Sequence, residues 1–395
     1  MKKNINDFNF FEKKVLLRLD LNVPIKDGVI ESTKRIDEAI PTLKALIHKN
    51  ARVVVVSHLG KPDGKVVESL SLKPVFDYIK EKLPTKVYFS NEIANDKMNE
   101  EVENLKNGEV LILENIRYFK EEETCDEEFS KRLAKPFDIF ILDAFGTAHR
   151  KHASTYGVSK YLESGIGMLV EKELGYLDDI FETSKHPIVA VLGGAKVKDK
   201  LKVIDNLLDK VDVLIIGGGM AFTFIKAMKG EVGKSIVDDD QLEYCYLMIK
   251  KAINNKVQLL LPIDSICAES IDSEIVKYYN FTKMDKNFMG LDIGHKTIKL
   301  FKKQIKKAKT IIINGPMGVF EKDKFSVGTK EILKAIVNNK KAIKVAGGGD
   351  TIHAIEKYNL EYGFSHLSTG GGASLKLLEG NGLVAINQIK NKGEN

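Results

Sequence analysis

The 395-residue chain has no tryptophan and only three cysteines, Cys125, Cys245 and Cys267, in no CxxC spacing. So sparse and odd a set argues against a disulfide framework and a thiolate zinc site. The opening segment MKKNINDFNFFEKK is charged, without an apolar core of signal-peptide length, and no stretch approaches the ~20 apolar residues that span a bilayer. A cytoplasmic protein with no membrane partner is the expectation. GxSxG and HExxH are missing. No glycine triplet continues as GxGxxG, because the last position is Phe222, Ile352 or Leu375, which argues against a dinucleotide fingerprint. Gly233-Lys234-Ser235 resembles the end of a Walker A loop but has Met228 where the earlier glycine is required, so it reads as a surface turn. Basic runs with interleaved aromatics are lacking too, and the net charge of +6 does not point to nucleic acid.

Arginine is scarce and unevenly placed. Against 55 lysines stand six arginines, Arg18, Arg35, Arg52, Arg117, Arg132 and Arg150, all in the first 150 residues. In a lysine-rich chain an arginine implies geometry, since its fork holds a carboxylate or phosphate with two parallel bonds. Glycine runs the other way: 22 of 31 follow residue 184, several in triplets that let backbone approach a ligand. Residues 1–184 carry a net −4 and residues 185–395 a net +10. The front half is expected to grip an anion with side chains, the back half with backbone.

Apolar content of 43% and charged content of 29% are globular values, and at roughly 150 residues per domain the length suggests two or three domains. Short β-branched runs at 15–21, 53–59, 87–90, 110–115 and 139–145, then 188–193, 213–217, 259–263, 311–315, 343–347 and 365–370, alternate with helical patterns. Nearly continuous apolar runs suit strands buried on both faces, hence βαβ units and parallel sheets. Residues 170–183 have helical periodicity, with Leu174, Leu177 and Phe181 on one side, and suit a connector.

Ligands of such sheets bind beyond the carboxyl ends of strands. There the chain places Arg18-Leu-Asp20-Leu21-Asn22, Ser57-His58-Leu59-Gly60-Lys61, Glu114-Asn115-Ile-Arg117 and Asp143-Ala-Phe-Gly-Thr-Ala-His149-Arg150-Lys151-His152, with Arg35 ahead of a helix expected from about Pro41. Each residue alone fits an ion pair or a cap; together they imply a pocket for a small, highly charged anion. The back half offers Gly193-Gly194-Ala195-Lys196, with Lys200 four residues on and expected on the same helix face, then Gly217-Gly218-Gly219, Gly347-Gly348-Gly349-Asp350-Thr351 and Gly370-Gly371-Gly372. Free amides at a helix start suit phosphate, and Asp350 suits magnesium bridging phosphates. Asn314-Gly-Pro316-Met-Gly-Val319-Phe-Glu321 adds an apolar wall and a carboxylate for a ribose.

In this order these blocks resemble the phosphoglycerate kinase family over essentially the whole chain, in RLDLNVP, SHLG, LEN with Arg117, DAFGTAHR, GGAKVKDK, NGPMGVFE, GGGDT and STGGGAS. The resemblance implies an α/β fold of two doubly wound parallel-sheet domains joined by an inter-domain helix: residues 1–168 with the tail 382–395 for the acidic substrate, 169–184 as connector, and 185–381 for the nucleotide. It implies transfer between ATP and the carboxylate of 3-phosphoglycerate, with ADP and 1,3-bisphosphoglycerate on the other side, magnesium as cofactor, and a monomer. Carried over, Arg18, Asp20, Leu21, Asn22, Arg35, His58, Leu59, Gly60, Lys61, Arg117 and Arg150 hold 3-phosphoglycerate. Gly194, Ala195, Lys200, Gly218, Gly290, Leu291, Pro316, Val319, Glu321, Gly348, Gly349, Asp350 and Thr351 hold the nucleotide, with Asp350 at the metal. Arg35, Lys196 and Lys200 act on the phosphoryl group in flight. The chain departs from the family pattern at Lys61 (Arg is usual), Leu142 (Asn), His295 (Pro) and Lys376 (Glu).

The chemistry is consistent with this set. A carboxylate acceptor is ionised at neutral pH and needs no general base, so positioning and positive charge suffice, with domain closure the expected gating step. Two other readings are a catalytically weakened nucleotide-binding or regulatory protein on the same scaffold, and a nicotinamide dehydrogenase, which the missing GxGxxG disfavours.

Overall fold

The computed structural model describes residues 1–178 and 180–394. The expected connector at 169–184 and the tail at 382–395 each contain one residue outside that range, Asp179 and Asn395. The chain divides into two compact units, Met1–Gly175 with the tail from Gly382, and Tyr176–Asn381.

The first unit is built on β1 (Lys14–Leu19), a small hairpin β2 (Ile25–Lys26) and β3 (Val29–Ile30), then β4 (Arg52–Val56), β5 (Val87–Ser90), β6 (Val110–Leu113), β7 (Ile139–Asp143) and β8 (Glu163–Ile166). Six strands form one sheet in the order β5-β6-β4-β1-β7-β8, and every neighbouring pair is parallel. Val53 to Val56 and Leu16 to Leu19 are fully buried, as runs covered on both faces require. The tail returns to this unit: the Ala385 amide donates to the Ala148 carbonyl, and Ile386 and Ile389 are buried.

The second unit contains β9 (Ile188–Leu192), β10 (Val213–Ile216), β11 (Gln258–Leu260), β12 (Asp264–Ala268), β13 (Lys277–Asn280), β14 (Met289–Ile293), β15 (Thr310–Asn314), β16 (Ile343–Gly347) and β17 (His366–Leu367). Its main sheet runs β11-β10-β9-β15-β16-β17, again all parallel. The chain first winds outward from β9 through β10 to β11, then from β15 to β17 on the other side. The crevice between β9 and β15 is thus the topological switch point, where an open α/β sheet binds its ligand.

Several details differ from the sequence reading. β12, β13 and β14 form a separate antiparallel sheet with a small core of its own around Ile266, Ala268, Leu291 and Phe325. β8 was not expected, because its Gly165 lowers strand propensity; that glycine leaves room for Phe8, which an added Cβ would meet at 2.5 Å. The helix expected from about Pro41 begins at Lys34 and runs to His48, with Pro41 inside it. Burial of Ile36, Ala39, Ile40, Leu43 and Leu46 outweighs the hydrogen bond that the proline forgoes. Arg35 therefore lies in the helix's first turn. The connector contains helices Met168–Leu177 and Ile180–Thr183, and its buried side chains include Val170, Glu173, Leu177 and Ile180, with Leu174 and Phe181 half-buried.

Candidate functional site

In the first unit the carboxyl ends of β1, β4 and β7 and the turn after β6 gather the scarce arginines. Arg18 and His58 are buried, and the Arg18 Nη2 lies 3.2 Å from the His58 Nδ1. Arg35 Nη1 reaches both Asp20 oxygens at 3.2 Å and the Asn22 carbonyl at 3.1 Å. Asn115 organises the neighbouring loops: it bonds the Leu59 amide and carbonyl, the Leu70 carbonyl and the Arg117 amide. Asn22 accepts from the Gly60 amide at 2.9 Å, and Ser57 accepts from that of Leu21 at 2.9 Å. Arg117 is 3% exposed, donates to the Gly60 carbonyl at 2.7 Å and lies 3.2 Å from Glu123, yet among the described residues its Nη2 has no hydrogen-bond partner. Arg150 lies beside His149, and Lys61 is exposed.

Charge crowding is visible in the histidines. Burial first, then Arg18, Arg117, Arg150 and Arg35, push His58 well below its ordinary value. Burial and three of these arginines lower His152 to about 3. Both rings are neutral near pH 7, and the cluster has cationic character that an anion would relieve. A buried guanidinium nitrogen without a partner is a costly arrangement, and a phosphate or carboxylate oxygen satisfies it.

In the second unit, Lys200 sits at the switch point. Its Nζ donates to the Gly193 carbonyl at 2.7 Å, the Asn314 carbonyl at 2.8 Å and the Asn314 Oδ1 at 2.6 Å. Burial lowers its pKa to about 8 against the pull of Asp350 and Asp199. The expected common helix face of Lys196 and Lys200 is not formed. Lys196 is extended and exposed, ahead of the 3-10 turn Val197–Lys200, and the α-helix starts only at Leu201. The Gly194 and Gly218 loops are in close contact: a Cβ on Gly218 (φ +66°) would stand 2.7 Å from the Gly194 backbone.

Beside this point lies a cavity of about 240 Å3. It brings together Gly194, Ala195, Gly218, Gly290, Leu291, Pro316, Val319, Glu321 and Asp350 of the expected nucleotide set. Lys200, Gly348, Gly349 and Thr351 are not in its lining. Gly348 and Gly349 open the helix Gly349–Lys357, and the Thr351 hydroxyl accepts from the Gly315 amide at 2.6 Å. Sequence reasoning missed the apolar floor, Phe222, Ile236, Phe281 and Met289, and Asp292, whose pKa burial raises to about 7 while it accepts from the Gly328 and Ile293 amides. The expected turn at Gly233-Lys234-Ser235 is present, its Ser235 hydroxyl accepting from the Gly290 amide.

Residues 5–381 match the family model described as phosphoglycerate kinase. The chain belongs to the phosphoglycerate kinase family. It is 45% identical over 390 residues to a phosphoglycerate kinase of Dictyoglomus turgidum (98% of each chain) and 46% identical over 394 residues to that of Finegoldia magna (98% of this chain, 99% of the other). Among solved structures it is similar to phosphoglycerate kinase from Coxiella burnetii, with TM-score 0.90 at 38% identity, and to that from Pyrococcus horikoshii, with TM-score 0.80 at 33% identity; each comparison covers 98% of both chains.

The positions that depart from the phosphoglycerate kinase pattern are absorbed locally. Leu142 is buried in β7, and His295 starts the helix His295–Ile305 and stacks on Tyr278 at 5.3 Å. Lys376 pairs with Glu379 at 2.7 Å within its own helix end.

Proposed function

We propose that the basic cluster of the first unit holds 3-phosphoglycerate and that the glycine-lined cavity of the second holds ADP or ATP. The reaction is phosphoryl transfer between ATP and the carboxylate of 3-phosphoglycerate, the glycolytic step of this enzyme family. The observation that carries the substrate assignment is the buried Arg117 guanidinium, whose Nη2 has no hydrogen-bond partner among the described residues and which stands close to Arg150. In this reading Arg35, Arg117, Arg150, His58 and Lys61 meet the acidic substrate. Asp20, Leu21, Asn22, Leu59 and Gly60 shape the pocket, and Arg18 supports it from below. Gly290, Leu291, Pro316 and Val319 enclose the base, and Glu321 accepts from the ribose. The Gly194–Ala195 and Gly218 loops and the helix start at Gly348–Thr351 receive the phosphates.

Among the described residues no preformed cluster of metal ligands exists. The exposed carboxylate of Asp350 in the cavity lining nonetheless fits magnesium, which is commonly held by one or two carboxylates, substrate phosphates and water. Bound there with the nucleotide, magnesium would neutralise phosphate charge. Lys200, Lys196 and Arg35 would balance the charge of the group in transfer, and no residue has to remove a proton because the acceptor is already ionised.

The reading also includes the 1–168 plus 382–395, 169–184 and 185–381 division, a monomer and a cytoplasmic location. A coupled assay of ATP consumption tests the activity: turnover that requires 3-phosphoglycerate is expected. Nucleotide binding without turnover would favour the catalytically weakened alternative.

A further inference from the structure

Beneath the anion cluster lies a chain of buried polar groups that phosphoryl transfer does not by itself require. Glu122, on the short helix Lys120–Thr124, is fully buried and accepts twice from Ser154: from its amide at 2.8 Å and its hydroxyl at 2.6 Å. The Ser154 hydroxyl has one proton, donated to Glu122, so its oxygen is left to accept, and the Arg18 Nε donates to it at 2.8 Å. Arg18 Nη1 donates to the Leu19 carbonyl and reaches the Ser57 hydroxyl at 3.5 Å. Its Nη2 is 3.2 Å from the His58 Nδ1.

A guanidinium has no acceptor, so the His58 Nδ1 must be the acceptor and the ring proton of the neutral imidazole must sit on Nε2. The charged groups acting on His58 from the surrounding elements are Arg18 of β1, Arg35 of the helix Lys34–His48, Arg117 of the turn after β6, and Arg150. They oppose a second proton on the ring.

We propose that Glu122, Ser154 and Arg18 form a buried positioning relay that holds His58 as the neutral Nε2–H tautomer, a fixed hydrogen-bond donor toward the anion site. The relay rests on the reading of His58 as a ligand of the acidic substrate. It reassigns Arg18 as a positioning residue, since its guanidinium is turned to protein atoms. Glu122 balances the buried Arg18 charge, and Ser154 transmits the orientation between them without contacting substrate.

Long-range proton–nitrogen NMR of the full-length enzyme labelled in its histidines tests this, with His58 assigned by loss of its signals in His58→Gln. Wild type at neutral pH is expected to show a proton on Nε2 and a bare Nδ1. Ser154→Ala is expected to give a mixture of tautomers and to raise KM for 3-phosphoglycerate about tenfold, as loss of an oriented charge-assisted network implies, with kcat and KM for ATP within about twofold. A wild-type proton on Nδ1, or an imidazolium, overturns the relay even if Ser154→Ala does not fold. So does a folded Ser154→Ala enzyme with unchanged His58 nitrogens. Titration with 3-phosphoglycerate separates the two assignments: the Nε2 signal should shift. An Nε2 proton that ignores the ligand supports the relay and removes His58 from the substrate site.

Discussion

Arg35, Arg117, Arg150 and His58 converge in the first unit from four different elements, whereas in the second unit Gly194, Gly218 and Gly290 present main chain to a cavity floored by Phe222 and Met289. The first arrangement invests in charge, and its cost is visible in buried cations and in histidines whose protonation is pushed to lower pH. The second invests in proximity, and its cost is steric: loops packed so closely that a methyl group would collide. A small polyanion without much surface has to be recognised by charge and hydrogen bonds. A nucleotide offers a large apolar base as well, so apolar walls and backbone amides suffice.

The contrast predicts how each site breaks. Lys200→Ala should leave the chain folded but lower kcat at least about a thousandfold, the order seen when a cation at a transferring phosphoryl group is lost. It should also cost about 1–2 kcal/mol of stability, because the Gly193 carbonyl and the Asn314 side chain lose a buried donor. Urea denaturation and steady-state kinetics check both parts. The same lysine gives a pH signature. Its folded pKa of about 8 lies below the ordinary 10.5, so the unfolded chain binds more protons between these values, and stability should rise with pH there. Over the same interval kcat/KM for the nucleotide should fall as the ammonium is lost. In Lys200→Arg both trends should vanish.

Gly218→Ala sharpens the comparison from the backbone side. With φ at +66° and Gly194 2.7 Å from the new Cβ, nucleotide affinity should fall about a hundredfold through strain of roughly 3 kcal/mol, while affinity for 3-phosphoglycerate is unchanged. Calorimetric titration of each ligand separates the two. Arg117→Ala should do the reverse: KM for 3-phosphoglycerate rises about fiftyfold from lost charge-assisted bonds, and KM for ATP stays put. The smallest change is expected at Lys61, exposed at the edge of the charged cluster. Lys61→Arg should lower KM for 3-phosphoglycerate about threefold by adding a fork to an existing charge. An equal response of both ligands to any of these three substitutions would erase the distinction between the sites.

The sequence made the strand ends legible because buried parallel strands are continuous apolar runs and their loops hold the rare residues. Scarcity of arginine singled out Arg18, Arg35, Arg117 and Arg150, but it did not say that Arg18 would turn inward to Ser154 while Arg117 kept a nitrogen unpartnered among the described residues. That distinction depends on Glu122 and Ser154, 32 residues apart and meeting only in the fold. Helical spacing did not place Lys196 and Lys200 on one face, because Lys196 is extended and Lys200 ends a 3-10 turn ahead of the α-helix. The antiparallel strands β12 to β14 escaped notice for a similar reason. The Asp264–Ala268 strand follows directly on an expected apolar run, and a run that changes sheet looks like one that continues.

The first unit borrows a strap from the stretch that follows the second unit: Ile386 and Ile389 are buried in it, and the Lys3 amide donates to the Lys390 carbonyl at 3.0 Å. During synthesis the residues of the second unit are all made before that strap exists. The unit begun first at the ribosome is therefore finished last, and for the interval between, the arginine cluster stands on a sheet still waiting for its closing segment.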